Sequence, residues 1–188
     1  MNITIFGKGR MGKAIGQNFE AAGMTVAYAG REKVSDLGDI IVLAVPYEAI
    51  AGIAKTYKED FKGKVVVDIS NPLDFDTYDS LVVPAGTSSA EQLAELLPDS
   101  RVVKAFNTTF NGTLYSGVVG GKEKTTVLMA SDSEEAKDKL AKALEKSPLG
   151  VIDAGKLKRA REMEAFGLLQ LSLAHRGKIS WSGGFAIV

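Results

Sequence analysis

The chain has 188 residues, of which 45% are hydrophobic and 24% charged, enough for one sizeable core and too few for the two domains of the large dehydrogenases. Lysine plus arginine number 23 and aspartate plus glutamate number 23; no half carries a basic run able to neutralise a row of phosphates, which argues against a nucleic-acid partner. Cysteine is absent and histidine occurs once, so disulfides, thiolate chemistry and metal centres built from thiolate or imidazole ligands are excluded.

The first residues, Met1 to Phe6, lack the basic and long apolar regions of a signal peptide, and no later apolar run approaches the ~18 residues of a membrane span. The expectation is a soluble cytoplasmic protein with no membrane partner.

In chain order, the patterning predicts a strand at Ile3–Phe6, a helix at Met11–Ala22, and strands at Thr25–Tyr28 and Ile40–Val45. A helix follows at Tyr47–Tyr57, a strand at Val65–Ile69, a helix at Ser89–Leu97, and strands at Arg101–Phe106 and Thr126–Ala130. Ser131 with Glu134 three residues on reads as a capping box before a helix at Ser133–Lys146, then a strand at Gly150–Asp153. About ten residues, Ala29 to Gly38, separate the second and third strands, fewer than the dozen or so that a helical crossover needs. A last helix spans Lys156 to Leu173 and is apolar on most faces near Phe166, Leu168, Leu169, Leu171 and Leu173; such a helix is buried, and a partner subunit is a candidate to bury it.

Short apolar runs alternating with amphipathic helices specify a doubly wound α/β (Rossmann) fold, mostly parallel. With no linker or repeat, the expectation is a single domain over residues 1–188, in which 156–188 form a C-terminal helical tail.

Gly7-Lys8-Gly9-Arg10-Met11-Gly12 reads G-x-G-x-x-G between a strand and a helix. In that context the first glycine permits a tight turn, the second lets backbone approach a pyrophosphate, and the third permits close packing of helix on strand. Which dinucleotide binds is decided at the end of the second strand, Tyr28-Ala29-Gly30-Arg31-Glu32. No carboxylate ends the strand, while Arg31 is suited to a ribose 2′-phosphate and Gly30 leaves room for it, which favours NADP. The other reading has Glu32 turning back to the ribose, giving NAD or dual use.

Ligands in open α/β sheets bind beyond the carboxyl ends of the strands. Those ends here are Ala44-Val45-Pro46, Ser70-Asn71-Pro72 and Asn107-Thr108-Thr109, and together they suggest a nicotinamide pocket. Carbonyl reduction needs a proton donor, yet no tyrosine is followed by lysine four places on, and His175 reads as a packed or capping residue. Hydride transfer to a flavin-like ring asks mainly for alignment, and no catalytic acid or base is assigned.

With Ile5–Gly12, Gly30-Arg31, Ala44-Val45-Pro46, Asp68–Leu73, Thr87–Glu91 and Val103–Thr108 together, nearly the whole chain resembles the NADPH-dependent oxidoreductases of the deazaflavin coenzyme F420 reductase family. Their nucleotide domain also looks like that of the membrane metalloreductases. The resemblance implies a single NADP-binding domain that passes a hydride between NADP(H) and a deazaflavin, a flavin, a quinone or another small oxidant. By that likeness Lys8, Arg10 and Met11 face the pyrophosphate, Gly30 and Arg31 the 2′-phosphate, and Pro46 and its neighbours the nicotinamide ribose. Asn107 and Thr108 would then meet the second ring, and Gly177 to Phe185, with Trp181, would close the pocket, although Trp181 reads equally as a packing residue. The segment between the second and third strands is shorter than the family usually shows, so a more open adenine side is expected. Two competing readings remain: an NADP-binding redox sensor without turnover, and a reductase of an imine or hydroxy acid. The apolar tail helix predicts a homodimer.

Overall fold

The computed structural model describes residues 1–30 and 32–188; Arg31, singled out for the 2′-phosphate, lies outside the described residues. Its elements are β1 (Asn2–Phe6), α1 (Arg10–Ala21), β2 (Thr25–Ala29), β3 (Ile40–Leu43), α2 (Tyr47–Tyr57), β4 (Val65–Asp68), α3 (Ser89–Leu96) and β5 (Arg101–Ala105). They continue with α4 (Asn111–Ser116), β6 (Val118–Val119), β7 (Glu123–Lys124), β8 (Thr126–Ala130), α5 (Glu134–Leu144), β9 (Gly150–Gly155) and α6 (Ala160–His175). Seven strands form one sheet in the order β2-β1-β3-β4-β5-β8-β9, and β6 with β7 forms a separate hairpin. Every neighbouring pair of the large sheet is parallel except β5 with β8.

Because side chains alternate across a strand, the apolar runs supply both faces. In β3, Ile40 and Val42 join Ile15, Phe19, Leu114 and Leu140 beneath α1, α4 and α5. Ile41 and Leu43 join Ile50, Tyr57, Leu93 and Ala160 beneath α2, α3 and the start of α6. The short link from β2 to β3 holds no helix among the described residues. It is pinned instead: the Gly38 N–H donates to Thr4 Oγ1 at 2.8 Å and the Val34 N–H donates to the Tyr57 hydroxyl at 3.0 Å. No helix among the described residues is long and apolar enough to cross a membrane.

Several local expectations are corrected. β3, β4 and β5 end one or two residues sooner than the apolar runs do, because Ala44, Ile69 and Phe106 already belong to the turns at the ligand edge. Helix α5 is capped by Ser133, whose hydroxyl accepts the Ala136 N–H at 3.2 Å, whereas Ser131 bonds back to the Val102 carbonyl at 2.6 Å. The reciprocal Ser–Glu cap belongs to α3, where the Ser88 hydroxyl accepts the Glu91 N–H and donates to the Glu91 carboxylate. Past β5, Phe106 is fully buried with φ 64°, its ring edge-on to Phe19 at 6.2 Å. Its carbonyl accepts both the N–H and the hydroxyl of Thr109.

Helix α6 runs from Ala160 to His175, and within this chain the leucines expected to be buried are not its most deeply buried residues. Its buried residues are Ala160, Met163, Glu164, Gly167, Gln170 and Ala174, while Phe166, Leu168, Leu171 and Leu173 are half-buried and Leu169 is 52% exposed. Polar contacts select the inner face. Register pairs Asp68 with Lys104 on adjacent strands, both pointing to the α3–α6 side. Lys104 Nζ donates to Asp68 at 2.9 Å, to Glu164 at 2.7 Å and to the Ser70 carbonyl at 2.7 Å, and all three charged groups are buried. The second Glu164 oxygen accepts the Ser89 N–H at 3.1 Å. At the surface Arg161 grips Glu91 of α3 in a bidentate pair, which holds that carboxyl below the usual carboxylate range.

One ammonium between two buried carboxylates leaves an excess negative charge out of water. Burial accordingly pushes the Glu164 carboxyl above its ordinary value, against the pull of Lys104. A carboxyl raised in the folded state holds its proton where the unfolded chain has lost it, so its contribution to stability is present in acid and is lost as pH rises through the folded value. Thermal melts of wild type and Glu164→Gln across acid to alkaline pH should therefore show the wild type losing ground to the variant as pH rises. Parallel curves would mean that Glu164 takes up its proton over the same pH range in the folded and the unfolded chain.

Candidate functional site

The strand order places β1 between β2 and β3, so the chain leaves β1 in opposite directions at its carboxyl edge, and a crevice opens at that switch point. The glycine loop enters it. Gly7 has φ 106°, and a Cβ there would lie 2.1 Å from the Ala44 carbonyl oxygen; one at Gly12 would lie 2.4 Å from the Gly7 carbonyl oxygen. Neither position tolerates a side chain. Gly9 differs: it is the N-cap of α1, makes no side-chain cap, and a Cβ there would meet nothing within 4 Å. The first N–H groups of α1 thus open onto free space beside the crevice with no acidic residue in the first turn.

Two cavities flank the loop. The first, of about 450 Å³, is lined on one side by Gly9, Arg10, Met11, Gly12, Ala44, Val45 and Pro46, and on the other by Ser70, Asn71, Phe75, Phe110, Leu171 and Trp181. The second, of about 620 Å³, is lined by Gly7, Lys8, Gly30 and Lys33 together with Phe6 of β1, Ala29 of β2, Val45 of the turn after β3 and residues of α2, and by no carboxylate among the described residues. Lys8 Nζ lies 4.0 Å from where a Gly30 Cβ would stand. Lys33 crosses the Tyr57 ring at 5.7 Å and pairs with Asp60 at 3.3 Å.

Of the residues singled out from sequence, the structure gathers Gly9 through Gly12, Ala44 to Pro46, Ser70, Asn71 and Trp181 around the first cavity, and Gly7, Lys8 and Gly30 around the second. Asn107 and Thr108 lie outside both linings, 2% and 7% exposed. The Asn107 amide donates to Asn71 Oδ1 at 3.0 Å and to the Met163 carbonyl at 2.8 Å, and the Thr108 carbonyl accepts from Gln170. Helix α6 covers them, and the next residues along, Thr109, Phe110 and Asn111, reach the cavity instead. Trp181 is 48% exposed and tilted against Phe110 at 5.2 Å, and a Cβ on Gly112 would lie 2.8 Å from the Trp181 carbonyl. That close approach holds the tail across the cavity mouth. His175 stacks on Tyr78 at 4.1 Å, at the end of α6.

The ionisable groups of the first cavity are Arg10, Tyr47 and Glu48, and Tyr47 is engaged, donating to Gln92 at 2.7 Å. Sequence reasoning missed Phe75, Phe110 and Leu171 as wall residues, and missed Lys104, Asp68 and Glu164 beneath the Ser70 floor. The signal available was a lysine and an aspartate in strands whose other residues, Arg101 at the start of β5 aside, are apolar.

Known proteins resemble this chain in sequence and in fold. Residues 29–72 match the model of the family described as NADP oxidoreductase, coenzyme F420-dependent. The F420-dependent NADP reductase of Methanocaldococcus jannaschii is 33% identical over 151 residues, which cover 78% of this chain and 66% of that protein. Metalloreductase STEAP3 of Rattus norvegicus is 28% identical over 88% of this chain, which spans 36% of the metalloreductase. The chain therefore covers about two thirds of the first relative and about a third of the second. In fold, a crystal structure from Arthrobacter sp. FB24, assigned as an F420-dependent NADP-reductase, superposes with a TM-score of 0.84 at 23% identity, covering 100% of this chain and 99% of that one. A glycine loop at a β2-β1-β3 switch point, cavities on both sides of it and this sequence likeness have one reading: the chain belongs to the family of coenzyme F420-dependent NADP oxidoreductases.

Proposed function

We propose that the protein is an NADPH-dependent oxidoreductase that passes a hydride between NADP(H) and a flavin-like ring or another small redox acceptor. The observation that carries this reading is the cradle at Gly9: an uncapped helix N-terminus, open space where a side chain would stand, and a cavity on each side. In this reading the N–H groups of Arg10, Met11 and Gly12 hold the pyrophosphate. The adenosine half lies in the cavity of Lys8 and Gly30, whose cations and lack of a carboxylate among the described residues suit a 2′-phosphate, and Arg31 is assigned to the same group from its place in the sequence. The nicotinamide half lies against Ala44, Val45, Pro46, Ser70 and Asn71.

When bound, the nicotinamide supplies the hydride and the acceptor ring takes it. The chain's part is alignment and exclusion of water. Phe75, Phe110, Leu171 and Trp181 offer apolar and aromatic walls suited to a flat ring. No side chain is assigned a proton transfer. Asn107 acts in this reading through Asn71, whose amide donates to the Asn107 carbonyl at 2.9 Å. We further propose a cytoplasmic homodimer, in which a second copy covers the outward Phe166 and Leu169 of α6.

Steady-state oxidation of NADPH, tried with flavins, deazaflavins, quinones, imines and carbonyl compounds, tests the reading. Turnover with a ring acceptor is expected. Tight NADPH binding with no turnover of any acceptor would make the protein a sensor, and turnover confined to imines or carbonyls would place it with the other reductases.

For the cofactor site, NADPH should bind more tightly than NADH. Lys8→Ala and Arg31→Ala should each weaken NADPH by about tenfold and NADH little, as expected for the loss of one charge-assisted contact. Gly9→Ala should weaken both nucleotides while leaving the melting temperature unchanged. Equal binding of NADPH and NADH by wild type would sink the 2′-phosphate assignment.

Sedimentation at micromolar concentration should give a dimer, and Leu169→Glu should shift it to monomer. A monomeric wild type would leave the outward face of α6 in water.

A further inference from the structure

The first cavity is built from two sets of residues with different anchors, although β3 and β4, which lead to them, are neighbours in the sheet. Gly9 through Gly12 and Ala44 to Pro46 are held by the pairing of β1 with β3, extended by the Ala44 N–H, which donates to the Phe6 carbonyl at 2.8 Å. Ser70, Leu171 and Trp181 stand on segments that meet elsewhere, at the buried cluster of Asp68, Lys104 and Glu164.

Ser70 is held at three points: its N–H donates to Asp68 at 2.8 Å, its carbonyl accepts from Lys104, and its hydroxyl donates to Ser89 at 2.9 Å. Ser89 in turn donates its N–H to Glu164. One turn along α6, a Cβ on Gly167 would lie 2.1 Å from Asn71 Oδ1, so helix and floor are in closest approach there. One turn further, Leu171 reaches the cavity wall, and the tail beyond α6 brings in Trp181. Apolar packing tolerates sliding and rotation of a helix over a sheet. A buried ammonium shared among two carboxylates and a carbonyl does not, because a shift of α6 leaves a charge unpaired.

We infer that Glu164 and Lys104 are positioning residues for the hydride acceptor: they register α6 against the Ser70–Asn71 floor so that Leu171 and Trp181 wall the acceptor side of the cavity, while Gly9 to Gly12 and Ala44 to Pro46, which carry most of the NADPH contact, are held by the pairing of β1 with β3, and Ser70 keeps its bonds to Asp68 and Lys104 when Glu164 alone is replaced. This rests on the oxidoreductase reading above for what occupies the cavity. It predicts that the two halves of the site can be uncoupled by substitutions that touch neither ligand.

Trp181 is the only tryptophan of the chain, so its fluorescence reports the position of the tail without turnover. In full-length Glu164→Gln, the NADPH dissociation constant should stay within about twofold of wild type. Energy transfer from Trp181 to bound NADPH should fall and quenching of Trp181 by acrylamide should rise. kcat/KM for a flavin acceptor should drop roughly 10- to 100-fold, the size expected when a reacting partner is misplaced by about an ångström. Gly167→Ala displaces the same helix by steric contact with the buried charges intact, and it carries the test if Glu164→Gln does not fold.

A lowered melting temperature with Trp181 signals and acceptor kcat/KM at wild-type values would overturn the inference and leave the cluster a purely stabilising one. A rise in the NADPH dissociation constant in step with the loss of acceptor turnover would overturn it too, since the halves would not be independent. If wild type binds NADPH yet turns over no acceptor, the oxidoreductase reading fails separately, and the Trp181 signals alone decide whether Glu164 sets the position of the tail.

Discussion

The carbonyl oxygen of Ala44 occupies the space that a side chain at residue 7 would need. That contact follows from the strand order: β1 pairs with β2 on one side and β3 on the other, so the turn leaving β1 must pass directly over the end of β3. Only a glycine with positive φ makes the turn, and once made, it aims the start of α1 into the crevice. Gly12 then lets α1 settle onto the loop, and the two cavities are what remains on either side. The site is therefore a by-product of how the sheet reverses direction, and the remaining elements serve to close it.

How much of this was legible in the sequence depends on how local each cause is. The glycine loop and the apolar strands could be read directly, because a turn needing positive φ and a strand buried on both faces each impose their residues within a few positions. The lack of a helix among the described residues between β2 and β3 was legible too, as a matter of chain length. The wall of the first cavity beyond Ser70 and Asn71 was not. Asn107 and Thr108 stand at the correct strand end, yet α6, more than fifty positions later, covers them and leaves Thr109 to Asn111 at the cavity. The inward face of α6 could not be read from its leucines, because the contacts that choose the face are Glu164 to Lys104 and Gln170 to Thr108, sixty or so residues apart. The capping box belongs to α3 and not to α5, because Ser131 and Ser133 are near neighbours competing for similar roles, and the first is claimed by the Val102 carbonyl.

A cluster of three buried charges is an expensive way to attach a helix, since apolar side chains of similar volume would often serve stability as well. What charges add is a definite position. The same trade recurs at lower cost along α6, where Gly167 gives up side-chain packing for closeness to Asn71, and Gln170 spends a buried amide on the Thr108 carbonyl. Each choice exchanges stability for alignment at the edge of the sheet where ligands bind.

Phe106 shows the same preference from the side of the backbone. A phenylalanine held at φ 64° is strained by about 1–3 kcal/mol, and a glycine would relieve that strain, but it would also vacate the space against Phe19 at a cost of about 3–5 kcal/mol for a lost core ring. The position is thus caught between two demands that no ordinary residue meets together. Substitution there has no downhill direction, so natural drift and a search for stabilising mutations should both return phenylalanine, or at most another large ring, for reasons that have nothing to do with touching a ligand.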